Sequence, residues 1–181
     1  MAVRKKHIQM LVERLLAAQG VSSAPVPVEK LAEACGATIK RQPAEDSLSG
    51  FLLRDRAGTL AVIGVNSTHH ANRQRFTVAH ELGHLLLHPP EAVHVDREEQ
   101  AFDLKLRSRE SSDGTDPEEI ESNMFAAELL MPTSFIQNDF HKYRGLDLMD
   151  PKTEQVLEEL ASRYEVSTQA LTYRVVKLGL L

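Results

Sequence analysis

RFTVAHELGHLLLH, Arg75 to His88, decides how the rest of the chain is read. It sets His80, Glu81, His84 and His88 inside an otherwise apolar run. Buried imidazole and carboxylate groups are costly unless each finds a partner. On a helix, His80 and His84 stand one above the other. Two imidazole nitrogens so placed can meet one ion at about 2.0–2.1 Å. Glu81, rotated away from the first ligand, can hang beside water at that ion without binding the ion itself, which is the mechanical content of H-E-x-x-H. With this composition the pattern arises by chance roughly 0.03 times, so the spacing carries information. The plainer alternative is a pair of core histidines bonded to backbone or carboxylates.

The surrounding residues support a buried helix. Phe76, Val78, Leu82, Leu85, Leu86 and Leu87 distribute apolar surface nearly all round it. Gly83 costs about 1 kcal/mol of helix stability against Ala, and its return is close approach of a neighbouring backbone. Ser67 or Thr68 offers an N-cap. Pro89 and Pro90 end the helix.

Two histidines leave a catalytic zinc one protein ligand short. DPEEIESNMFAAELLMP, Asp116 to Pro132, is the best source of the third, because Pro117 suits a first helical turn. Glu119, Ser122, Asn123, Ala126 and Leu130 share one face at three- and four-residue steps, and that face can aim Glu119 at the ion. Asn123, one turn on, can orient a ligand or a bound water. Glu121, Phe125 and Glu128 share another face, where Glu121 and Glu128 read as a solvated edge. Glu119 is therefore favoured over Glu121 and Glu118. Acids also suit the positive end of a helix, which explains Glu118 and Glu119 equally well and leaves the choice to geometry.

Composition bounds the remainder. The 181 residues suffice for one domain with a small appendage, and 42% hydrophobic with 26% charged residues is ordinary for a globular protein. A net charge of −5 gives no general attraction to nucleic acid. Cys35 is the only cysteine, so neither an internal disulfide nor a cysteine-built zinc site is possible. It reads as a small apolar filler. Glu13 and Arg14 interrupt any signal-peptide core, and no run approaches membrane-spanning length, so a cytoplasmic location is expected.

Along the chain, Ile8, Leu11, Val12, Leu15 and Leu16 mark a first helix that stops near Gly20. A short helix over Val28 to Ala34 precedes a strand at ATIK. SGFLLRDRAGTLAVIGVN reads as a hairpin turning at Asp55 to Gly58. Residues 91 to 121 carry eleven acids against four bases, with alternating Phe102, Leu104 and Leu106 suggesting a short strand in a long loop. TSFIQNDFHKY forms another helix. Two more, about Lys152 to Arg163 and Thr168 to Lys177, resemble a helix-turn-helix capped by Ser167. Leu157, Leu160, Ala161 and Tyr164 form one apolar stripe of this pair, and Ala170, Leu171, Val175 and Leu178 the other. Only Gln169, Arg174 and Lys177 qualify as DNA-reading side chains, and residues 151 to 181 balance four bases with four acids. Packing or partner docking is thus favoured over DNA contact.

RQRFTVAHELGHLLLH and EEIESNMFAAELLMP together resemble the ImmA/IrrE family of zinc metallopeptidases, with Ser122 in place of the usual alanine. The resemblance is firm over Arg73 to Pro132 and looser outside it. It implies an α+β, mostly helical, zincin-like fold with a small antiparallel sheet and a C-terminal helical pair. Residues 1–145 would form the metallopeptidase domain, with 146–181 packed on it. It implies one zinc ion held by His80, His84 and Glu119, with Glu81 as catalytic acid/base. The implied substrate is a specific protein partner, a small helix-turn-helix repressor whose cleavage relieves repression during stress. His88, His94, His141 and Tyr143 are candidates for stabilising the oxyanion, His88 more readily serving as a structural group. Substrate backbone is expected to add to an edge strand over Thr59 to Val65. Two other readings stay open: a regulatory binding protein on the same metal fold, and a DNA-binding regulator acting through its tail.

Overall fold

The computed structural model describes residues 3–55, 60–88, 93–97, 116–143 and 151–181. These form helices α1 (Lys5–Ala18), α2 (Val28–Ala34), α3 (Ala71–Leu87), α4 (Pro117–Leu130), α5 (Thr133–Phe140), α6 (Pro151–Tyr164) and α7 (Thr168–Lys177). The strands are β1 (Ala37–Gln42), β2 (Leu48–Arg54), β3 (Ala61–Asn66) and β4 (Val93–Arg97). The fold is thus α+β and mostly helical, as expected. Most of the acidic stretch that follows α3, the strand expected around Phe102 to Leu106 and the tip of the β2–β3 turn lie outside the described residues.

The sheet runs in the order β1-β3-β2-β4. β2 and β3 form the expected hairpin, with Gly50 opposite Val65 and Arg54 opposite Ala61. β1 pairs with the other side of β3 in parallel, Ala37 opposite Ala61, so the sheet is mixed rather than wholly antiparallel. The chain passes from β1 to β2 and then hairpins back into the gap between them, which gives β3 the direction of β1. The expectation that Thr59 to Val65 supplies an edge is overturned for the same reason. β3 has neighbours on both sides, and its backbone groups serve two ladders. Among the described strands, β1 and β4 are the edges, and β4 lies antiparallel to β2 across a register shift between Leu48 and Gly50.

α3 lies between the sheet and α4. Its buried run is continuous from Thr77 to His84, as expected of a helix that is apolar on most sides. Val78 and Leu82 join Leu52 and Ile63 of the sheet and Phe125 and Leu129 of α4 in one core, all fully buried. Gly83 faces α4, where a β-carbon would stand 3.1 Å from Ser122 Cα and 3.2 Å from the Phe125 ring. The missing side chain lets the two helices touch at the backbone. The start of α3 differs from expectation. His70 is the N-cap, its Nδ1 accepting from Asn72 N at 3.2 Å. Thr68 instead donates its backbone and hydroxyl groups to Asn66 Oδ1 in the turn before the helix.

The C-terminal pair is bolted to the rest of the fold by buried polar groups. Tyr164 of α6 donates to Asp139 Oδ2 of α5 at 2.8 Å, and burial together with that carboxylate pushes the tyrosine pKa up. Glu165, in the α6–α7 joint, pairs with Arg75 of α3 at 3.0 Å. Arg174 of α7 is buried, bonded to Glu128 of α4 and donating to Met131 O at 3.1 Å and to Thr133 Oγ1 at 3.0 Å. Glu128 is therefore no solvated edge, because a cation arriving from 46 residues away has covered it. Cys35 is half-buried, and burial pushes its thiol pKa up, as suits an apolar filler.

Candidate metal centre

Helical spacing turns the quoted motif into a column of rings. Phe76, His80, His84 and His88 follow one another on one face of α3, with centroid separations of 6.1, 4.7 and 5.3 Å. His80 and His84 turn their Nε2 atoms toward each other at 3.1 Å. Glu119, in the first turn of α4, closes the group. Its Oε2 lies 3.4 Å from His80 Nε2, and its Oε1 lies 3.2 Å from His84 Nε2. All three residues are buried. Of the candidate carboxylates, Glu119 is the one brought beside both His80 and His84. Glu118 is held to the side, with Oε1 4.0 Å from His88 Nδ1. Glu121 is instead bonded to Arg4.

The donor set fits a tetrahedral zinc. Bonds of about 2.0–2.1 Å at tetrahedral angles set neighbouring ligand atoms about 3.3–3.4 Å apart, close to the three separations here. Two imidazoles and one carboxylate are a known catalytic set that leaves a fourth position open. The tautomer also fits. Asn123 Oδ1 lies 3.1 Å from His80 Nδ1. A carbonyl oxygen can only accept, so this contact suits the tautomer with hydrogen on Nδ1, which leaves Nε2 as the nitrogen that faces the group.

Glu81 is fully buried on the neighbouring flank of α3. A β-carbon at Gly50 would stand 3.8 Å from its Oε1, which places that carboxylate against β2. The same β-carbon would meet Thr77 Cγ2 at 2.4 Å and Gly64 O at 2.6 Å. Only glycine at position 50 allows β2 to lie this close to the motif.

His88 has a structural place. Its Nε2 lies 3.0 Å from Glu118 O and 3.2 Å from Ser122 Oγ, tying the end of α3 to α4. His84, His88 and Glu118 also bring nitrogen and oxygen donors close together, with His88 Nδ1 4.0 Å from Glu118 Oε1. His141 is exposed and Tyr143 half-buried, while the side chain of His94 lies outside the described residues.

Three arginines far away in sequence hold the frame. Arg4 donates to Glu121 through Nε at 3.0 Å and through its backbone N–H at 2.8 Å, and to Leu87 O at 3.1 Å. It thus joins the last turn of α3 to the first turns of α4. Its guanidinium holds the Glu121 carboxyl well below the usual range, at about 2. Arg54 of β2 donates to His84 O at 3.4 Å and His88 O at 3.2 Å, satisfying carbonyls at the C-terminal end of α3. Arg174 anchors the far end of α4. Glu121 is as buried as Glu128, so both departures from a solvated edge have one cause, a distant arginine.

With the motif helix, its acidic partner helix and the flanking strand in place, the comparison with known families decides the lineage. The family profile of Peptidase M78, described as the IrrE N-terminal-like domain, matches residues 32–176. The chain belongs to this family. The M78 match runs from within α2 through nearly all of α7 and so takes in His80, Glu81, His84, Glu119 and Asn123, while Arg4 lies outside it. It bears out the resemblance to ImmA/IrrE proteins drawn from the two motifs, and it marks a metallopeptidase-like domain. No individually curated protein matches the chain closely enough to extend that statement. Among the described residues no helix is long and apolar enough to cross a membrane.

Proposed function

We propose that this M78 domain is a zinc-dependent endopeptidase that cleaves a specific protein partner. The supporting observation is the buried triangle of His80 Nε2, His84 Nε2 and Glu119, with Glu81 fully buried on the adjoining flank. His80, His84 and Glu119 would hold the ion. Zinc bound there supplies Lewis acidity, polarising a carbonyl and acidifying water. Glu81 then acts as general base, taking a proton as water oxygen bonds to the scissile carbonyl carbon. As the C–N bond breaks, Glu81 returns that proton to the leaving amine, so the carboxylate is regenerated. Asn123 fixes the ring of His80 throughout.

The partner assigned by the family resemblance is a helix-turn-helix repressor, whose cleavage would relieve repression. The tail is a poor DNA reader, because Arg174, one of its three candidate readers, is buried against Glu128. The test is incubation of the zinc-loaded chain with purified helix-turn-helix repressors from the same genome, any encoded beside it first, followed by gel and mass analysis. Two defined fragments from the wild type, and none from a Glu81→Gln variant that still binds zinc, support the reading. An intact repressor in both reactions contradicts it.

A further inference from the structure

A groove of about 640 Å³ opens between α3, α4 and α7, within the usual range for ligand clefts. His80, His84 and Glu119 do not line it, but two residues beside His80 do. Phe76, whose ring lies 6.1 Å from that of His80, forms part of its wall, and Asn123, bonded to His80, forms another part. Met124 and Ala127 line it along α4, and Tyr173 along α7. Ile120 and Tyr173 are 36% and 41% exposed there, which leaves large apolar surface open to solvent beside the site.

The charges on this groove have one sign. Among the described residues, Arg73, Arg174 and Lys177 line it and no acid does, in a chain whose net charge is −5. Arg174 is balanced by Glu128. Lys177 lies with Nζ 5.5 Å from the Tyr173 ring centroid. Burial, then the nearby Lys5 and Arg174, lower its pKa. An apolar floor under a basic rim complements a peptide of opposite pattern.

We infer that this groove is the substrate-selecting subsite of the peptidase, and that it takes a peptide segment bearing large apolar side chains flanked by carboxylates. The inference rests on the endopeptidase reading and names the class of sequence beside the cleaved bond. Apolar side chains of the segment fill the space between Met124, Ala127 and Tyr173, and its carboxylates meet Lys177. Because Asn123 and Phe76 touch both the groove and His80, a segment seated here delivers the adjoining peptide bond to the metal centre.

The test measures binding, not turnover. Two fluorescein-labelled dodecapeptides, one built from Glu, Leu and Phe and one with Lys in place of every Glu, are titrated by anisotropy into the zinc-loaded full chain carrying Glu81→Gln. The acidic peptide is expected to bind at least tenfold more tightly. Lys177→Glu should erase or reverse that preference, and Tyr173→Ala should weaken the acidic peptide at least fivefold. Both positions are exposed, so folding is preserved, and thermal melts check it. Equal affinity for the two peptides overturns the inference, as does binding that neither substitution alters. A concentration-dependent dimer that Tyr173→Ala dissolves, without peptide binding, also overturns it by making a second copy the occupant. Selective peptide binding by a chain that cleaves nothing would keep the groove and remove the peptidase reading. Cleavage with unselective peptide binding would do the reverse.

Discussion

Arg4 and Glu121 meet 117 residues apart in sequence, with Arg4 Nε 3.0 Å from Glu121 Oε1 and the same arginine donating to Leu87 O. One side chain thereby closes the end of the motif helix onto the start of the helix that carries Glu119. Replacing Glu121 by Gln should lower stability by about 1–3 kcal/mol, the range for disrupting a hydrogen-bonded charged group.

The same pair gives a pH dependence with a definite sign. The folded Glu121 carboxyl is lowered from 4.5 to about 2, chiefly by its bond to Arg4. Its stabilisation is present above the unfolded value and is lost as pH falls from about 4.5 toward about 2. Urea melts of wild type and Glu121→Gln should differ most near pH 6, and the difference should shrink below about pH 4.5 and vanish only as pH approaches about 2. A difference that grows on acidification would reverse the sign and remove the ion pair from the account.

Gly83 should tolerate no branched side chain. Its absent β-carbon would lie 3.1 Å from Ser122 Cα, and the obstacle is backbone on a packed helix. Gly83→Val should force α3 and α4 apart, cost about 1–3 kcal/mol by overpacking, and weaken zinc binding because Glu119 moves with α4. Competition with a chromogenic chelator reads the affinity directly, and unchanged affinity in a folded variant contradicts the packing argument.

Asn123→Ala should reduce zinc affinity about 10–100-fold, the usual effect of removing a group that orients a ligand. The loss should be smaller than for His80→Ala, since the ring stays available. Arg174→Ala tests a different link. It leaves Glu128 buried without its cation and should cost about 3–5 kcal/mol in a thermal or urea melt.

That His80, His84 and Glu119 come together was legible in the chain because two helices carry all three. His80 and His84 need only one helical turn, and Glu119 and Asn123 need only the face arithmetic of a second helix. Gly83 announced a close contact and has one with Ser122. What a linear pattern could not supply were the arginines. Glu121 and Glu128 have the seven-residue spacing of a solvated edge, and nothing near them in sequence signals Arg4 or Arg174. The place of β3 was hidden for a related reason. A hairpin pattern fixes β2 against β3, but the parallel addition of β1 joins segments separated by the whole hairpin, and that addition converts an expected edge into the middle of the sheet. The capping of α3 by His70 was masked by Ser67 and Thr68, whose preference as caps was overridden when Asn66 engaged Thr68.

The most direct test of the central claim is the zinc content and affinity of the purified chain beside His80→Ala and Glu119→Gln. Elemental analysis with chelator competition should find one zinc per wild-type chain, with both variants folded and at least a hundredfold weaker. A wild type that takes up no zinc, or variants that bind it as tightly as the wild type, would contradict the account.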